Sequence, residues 1–240
     1  AEMKLYDVIK RTIERGGKVI IPAFAVGRSQ EVMLALEEGI RKGELPPVKI
    51  FLDGMIKEAT AIHTTYPEYL NSDLRNQIFR EGLNPFLSEC FEQVDSSDKR
   101  ESVIYGDPSV IITTSGMMNG GPVIEYLHNL AADERNTLVF VGYQADGTLG
   151  RRIQKGWREI PVGVKGTITV NLEVTTVEGF SGHSDRRQLM SFIGKMHPKP
   201  EKIFCVHGEE SKTLDLASSI YKKFHIQTHS PMNLETYRMV

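Results

Sequence analysis

The sequence predicts an α/β fold, a mostly parallel sheet with flanking helices. A short apolar run, a glycine-bearing loop and a helix-like stretch follow one another three times. The runs are Val19-Ile20-Ile21, Val110-Ile111-Ile112 and Leu138-Val139-Phe140-Val141. They are continuous rather than alternating, as strands buried on both faces are. Alternation of such strands with helices implies a sheet covered on both sides.

Taken in order, Leu5, Val8, Ile9, Thr12 and Ile13 fall at helical spacing, and Gly16-Gly17 ends that helix. The strand at 19–21 leads through the loop 22–27 into a helix from Arg28 to Lys42. Val48 to Leu52 reads as a further strand with a helix from Ile56. Residues 66–102 are polar and helix-rich, an excursion at the sheet edge. The strand at 110–112 passes through Ser115-Gly116-Met117-Met118 into a helix from Val123 to Leu130. The strand at 138–141 passes through Gly142-Tyr143 and Gly147 into Leu149 to Gln154. Ile168, Val170, Leu172 and Val174 then alternate with polar residues, the pattern of a half-exposed strand of another sheet. A domain boundary is expected near residue 175. Beyond it come the His183 loop, a helix from Arg187 to Met196, a strand from Ile203 to Val206, the His207 loop and a helix from Leu214 to Phe224. Residues 225–240 read only as extended.

The 240 residues suffice for one large domain or two modest ones. A formal charge of −2 gives no global pull toward polyanions, so any nucleic acid would need a local lining. Cys90 and Cys205 lie far apart without a Cys-x-x-Cys spacing, which predicts a reduced, cytoplasmic protein with no zinc knuckle. No apolar run approaches the roughly 18 residues of a membrane span. The opening Ala1-Glu2-Met3-Lys4 enters a helix with no leader, as a fragment would.

Two motif matches fail on their chemistry. Gly179-Phe180-Ser181-Gly182-His183 places His where the hydrolase nucleophile elbow requires a small glycine, which argues against Ser181 as a nucleophile. Gly208 to Thr213 lacks the glycine before Lys212 and sets two carboxylates where a phosphate would sit.

The three glycine-bearing loops admit two readings. Free amides at helix N-termini bind anions, and Arg28, or Arg151 with Arg152, can add charge-assisted contacts. A phosphate-binding rim built from Arg28, Ser115, Gly116, Gly142 and Gly147 would follow. Alternatively, the glycines only permit tight turns. His183, beside Ser184 and Asp185, suits either a helix cap or a proton donor or metal ligand. His207 follows an apolar strand and should emerge at the sheet's carboxyl edge, where ligands and catalysts collect. His63, His128, His197, His225 and His229 have no such setting. With no His-x-His or His-Glu-x-x-His pair, the chain cannot complete a zinc site of three or four ligands alone.

Residues 16–31, from Gly16-Gly17-Lys18 to Ser29-Gln30-Glu31, resemble the opening of the β-CASP domain of metallo-β-lactamase-fold nucleases. Ser115 to Met118, Gly142 to Leu149, Ser181 to Asp185 and Val206 to Glu209 follow in that family's order. The resemblance covers essentially the whole chain and is greatest to archaeal homologues of the cleavage and polyadenylation specificity factor endonuclease. It implies a β-CASP domain over 1–175 and the C-terminal part of a metallo-β-lactamase αββα domain over 176–240. It implies a zinc-dependent endonuclease of single-stranded RNA, of the 3′-end-processing or transcription-termination type, with two zinc ions in the full-length protein. His183 matches the family's histidine that protonates the leaving oxygen or stabilises the transition state, and His207 matches a zinc ligand. The family's His-x-His-x-Asp-His motif and its remaining ligands have no counterpart here, so this chain alone is expected to be inactive. The alternative is a non-catalytic RNA-binding or dimerisation module. The family also suggests a homodimer contact through the segment after His225.

Overall fold

The apolar triplets of the sequence become the middle of a parallel sheet. The computed structural model describes residues 1–161, 166–180 and 183–239, so Ser181 and Gly182 of the His183 motif lie outside the described residues. Two units divide the chain, Ala1–Ser181 and Gly182–Val240.

In the first unit, α1 (Glu2–Glu14), β1 (Val19–Pro22), α2 (Arg28–Arg41), β2 (Ile50–Asp53) and α3 (Ile56–Thr65) come in order. Then follow α4 (Ser72–Arg80), β3 (Phe91–Val94), α5 (Ser97–Tyr105), β4 (Val110–Thr113), α6 (Pro122–Leu130), β5 (Thr137–Phe140) and α7 (Leu149–Gln154). β6 (Glu159–Pro161), β7 (Thr167–Thr169) and β8 (Glu173–Thr176) close it. Among the described residues six strands form one sheet in the order β3-β2-β4-β1-β5-β8, and every pairing is parallel. The register sets Val19 beside Val110 and Ile20 beside Ile111.

Strand side chains alternate between faces, and the two faces have separate cores. Val19, Ile21, Val110, Ile112 and Val139 pack with α1 and α2. Ile20, Ile111, Leu138 and Phe140 pack with α5, α6 and Ile153 of α7. All nine of these strand residues are fully buried. Tyr6 ties α1 to α2, donating from its hydroxyl to Ala35 O at 2.6 Å.

Three expectations need correction. The stretch 66–102 holds the edge strand β3, whose half-buried Phe-Glu-Gln-Val carries no apolar run to betray it. The strand expected through 168–174 is two strands. β7 pairs antiparallel with β6, and β8 joins the central sheet beside β5. Between them the amides of Asn171 and Leu172 both donate to Ala131 O, at 2.8 and 2.9 Å, which breaks the ladder. Residue 175 therefore lies inside a strand of the first unit, and the units part at 181 and 182.

In the second unit, α8 (Arg186–Lys195), β9 (Lys202–Phe204), α9 (Glu210–Phe224) and β10 (Gln227–His229) surround a small core of Ile193, Cys205, Ala217, Ile220 and Ile226. β10 pairs parallel with β9, so the tail is not merely extended. It returns onto β9, with the Tyr237 ring 5.1 Å from that of Phe204 and 5.2 Å from that of His229. No helix among the described residues is long and apolar enough to cross a membrane.

Candidate functional site

Because β1, β4 and β5 run parallel, the loops that follow them emerge at one edge of the sheet. That edge is where open α/β sheets present ligand-binding loops. The three loops are fastened to one another. A Cβ on Gly116 would lie 2.8 Å from Phe24 N and 3.0 Å from Phe24 Cδ2, so only glycine lets the β1 and β4 loops approach this closely. Gln144, 2% exposed, donates from Nε2 to Gly116 O at 2.8 Å and joins the β5 loop to the β4 loop. Gly150 N donates to Met117 O at 3.2 Å. The Arg28 guanidinium stands over Gly142, with Nε 3.7 Å from where a Cβ would be.

Much of the polar capacity of these loops is used in holding their turns. Ser115 Oγ donates to Gly120 O at 3.0 Å and accepts Asn119 N–H at 3.1 Å. Gly27 N–H is taken by Gln30 Oε1 at 2.7 Å. Gly147 has φ +86°, a conformation that favours glycine, and precedes Thr148, which caps α7 through Arg151 N–H at 3.3 Å. Arg28 pairs with Glu31 one turn along α2. The edge turns both polar and apolar groups to solvent, with Asn119 and Asp146 exposed beside several large apolar side chains. Phe24 and Tyr143 are 49% and 52% exposed, and Val26 and Met55 are more exposed still.

Behind the rim lies a buried ionic clip. Asp53, 1% exposed at the end of β2, accepts from Arg100 Nε at 2.7 Å and from the Tyr126 hydroxyl at 2.8 Å. Burial and the adjacent Asp53 carboxylate push the Tyr126 phenol pKa well up. A polar cleft of about 450 Å³ opens at the opposite edge of the sheet. There Lys18 Nζ is already committed to the carbonyls of Gly106 and Asp107, and burial lowers its pKa.

The two histidines stand in the second unit. His183 is exposed, just ahead of α8. Its neighbour Asp185 caps that helix, accepting Gln188 N–H at 2.7 Å while Gln188 Oε1 accepts Asp185 N–H at 2.9 Å. His207 emerges beyond the carboxyl end of β9 with φ +61°, a left-handed conformation that His tolerates better than β-branched residues. Gly208 follows because a Cβ there would press on Thr213 Cγ2 at 2.9 Å. Glu209 pairs with Lys212 at 3.1 Å.

Zinc requires three or four nitrogen, sulfur or carboxylate ligands. Among the described residues no group of three or more His, Cys, Asp or Glu side chains converges. Asp185 is engaged in a helix cap and Glu209 in an ion pair, so these residues do not by themselves make a zinc site. The sequence reading singled out the glycine loops and both histidines, which the structure places on the rim and in the second unit. It missed Phe24 as an exposed ring, Gln144 as a buried strut, and the Asp53–Arg100–Tyr126 clip. Only the Gly142-Tyr143 motif hinted at an aromatic on the rim.

Two family descriptions match the chain, the Beta-Casp domain over residues 29–153 and the Zn-dependent metallo-hydrolase RNA specificity domain over 167–231. Among curated proteins it is similar to transcription termination factor FttA of Methanosarcina mazei, 62% identical over 100% of this chain and 38% of that protein. The FttA of Methanocaldococcus jannaschii is 56% identical over 100% of this chain and 38% of its own length. That of a Lokiarchaeum species is 48% identical over 98% and 38%. The chain thus spans well under half the length of these relatives. With its parallel sheet, its glycine loops and a family match over more than half of its 240 residues, this chain belongs to the Beta-Casp family.

Proposed function

We propose that this chain is part of a zinc-dependent endonuclease that hydrolyses phosphodiester bonds of single-stranded RNA in transcription termination or 3′-end processing, in the cytoplasm. The observation that carries the RNA reading is the rim, three βα loops of a parallel sheet fastened into one surface. The match to an RNA specificity domain and the names of the relatives agree with it.

In this reading the first unit is the β-CASP body and the second is the returning part of the nuclease domain. Arg28 and the loops at Ser115, Gly116, Gly142 and Gly147 line the strand's phosphates, with Ser115 shaping its turn, since its amide and hydroxyl are bonded to Gly120. Arg28 then exchanges Glu31 for phosphate. His183, exposed ahead of a well-capped helix, gives its proton to the leaving oxygen, a transfer worth about 10²–10⁴ in rate. His207 would be one ligand of the zinc centre of the whole protein, for which two ions are expected. The segment after His225, with Met232, Leu234 and Met239 exposed, supplies a homodimer contact.

Replacing His183 by Ala in the full-length protein tests the catalytic role. Turnover should fall by about two orders of magnitude or more with zinc content unchanged. A zinc-loaded, folded variant that cuts at the wild-type rate would remove that role. His207→Ala should lower bound zinc, and undiminished zinc would refute the ligand assignment. A second reading, an RNA-binding or dimerisation module without catalysis, is favoured for the isolated chain by the lack of a three-ligand cluster among its described residues. RNA binding that falls with salt and survives a chelator marks that reading.

A further inference from the structure

We propose that Phe24 and Tyr143 form a base-stacking platform, on which unpaired bases of a single-stranded RNA lie while Arg28 contacts the phosphate between them. The proposal rests on the RNA reading above and adds which part of the strand the rim holds.

Exposed aromatics occur elsewhere on this chain too, and what sets Phe24 and Tyr143 apart is their place on two loops of the same sheet edge. Phe24 is about half exposed on the β1 loop and Tyr143 about half exposed on the neighbouring β5 loop. Val26 on the β1 loop and Met55 just after β2 are exposed as well. The Phe24 ring is braced from within, since Gly116 brings its backbone against Cδ2 and leaves no room for a side chain between them. A braced ring loses little further freedom on binding, which favours affinity.

The polar inventory points the same way. Ser115, the Gly27 amide and several amides of the β4 loop already have partners within their turns. Arg28 stands over Gly142, directly before Tyr143 in sequence. Rings on two adjacent loops with a guanidinium at the second are the groups that a base-phosphate-base repeat of a single strand would need. Stacking tolerates any sequence because every base has a π-face, whereas paired bases in a duplex have none to offer at their edges.

The test uses the full-length protein in a His183→Ala background, so that cleavage does not consume the probe. Fluorescence anisotropy would compare a labelled uridine oligonucleotide with an abasic ribose-phosphate strand of the same length. Phe24→Ala and Tyr143→Ala should each weaken the uridine strand by about tenfold, within the roughly 5- to 150-fold expected for one lost stack. Affinity for the abasic strand and the salt dependence should not move. Phe24→Tyr and Tyr143→Phe should retain binding, and Phe24→Leu should lose it as Ala does. Alanine variants that bind uridine as the parent does would overturn the platform and leave the RNA reading standing. Equal loss on both strands would also overturn it, since the loop rather than the stack would then be at fault. A parent that binds neither strand would end the RNA reading and this proposal together.

Discussion

Arg100 donates two hydrogen bonds to Asp53, from Nε to Oδ2 at 2.7 Å and from Nη2 to Oδ1 at 3.1 Å, although 47 residues separate them. The pair joins α5 to the end of β2, and the Tyr126 hydroxyl brings α6 to the same carboxylate. Asp53 is followed by Gly54, at φ +91°, where a Cβ would strike Thr114 Oγ1 at 2.0 Å. The clip thus sets where the β4 loop begins.

Removing Asp53's charge leaves Arg100 with only the half-exposed Glu125, whose Oε2 accepts from Arg100 Nη1 at 3.1 Å. Asp53→Asn should cost on the order of 3 kcal/mol in urea unfolding. Tyr126→Phe should cost about 1.5 kcal/mol, since it loses one hydrogen bond to a charged acceptor. A loss below about 0.5 kcal/mol for Asp53→Asn would show that the clip contributes little.

Alkaline pH should weaken the first unit through Tyr6. Burial, with Glu2, Glu38 and Glu44 nearby, pushes its phenol from 10.0 up to about 12. The folded form keeps a proton that the unfolded chain gives up, so this stability is complete below pH 10 and is lost as pH rises toward 12. The contribution falls by about 1.4 kcal/mol per pH unit in that window. Tyr6→Phe should flatten the pH dependence of unfolding there, while losing the hydrogen bond to Ala35. An unchanged slope would refute the assignment.

Gly150 lies against Gln144, so that a Cβ at this glycine would fall 1.9 Å from Gln144 Oε1. Gly150→Ala should therefore push Gln144 off Gly116 and destabilise the fold by about 1–3 kcal/mol, as overpacking does. Adding Gln144→Ala should recover part of that loss, because the two sites share one space. Strict additivity in the double variant would show that the strut is not what fills it.

Zinc bound per chain, measured on the 240-residue protein after dialysis into metal-free buffer, should be near zero. The ligand set of the described residues leads to that expectation. One ion per chain would mean that His183 or His207 completes a site with groups that the described geometry does not bring together.

The central strands were legible because each is a continuous apolar run. Ile20 and Ile21 face opposite cores, so both positions must be apolar, and local sequence records that. β3 and β8 at the sheet edges and β10 in the tail are only partly buried, and without an apolar run they passed for helix, another sheet or an unpaired extended tail. The glycine loops and the placing of His207 after a strand were legible for a similar reason, since a turn's conformational demand falls on its own residues.

Amino-acid order alone settled the α/β class, the inner strands and the family's motifs, because periodicity, turn chemistry and local burial act over a few neighbours. Three-dimensional packing decided the rest. The strand order β3-β2-β4-β1-β5-β8 brings Asp53 to Arg100, Gln144 to Gly116 and Phe24 to Gly116. These contacts join residues tens of positions apart through crossovers, and no local pattern encodes which loops will meet at the sheet's edge.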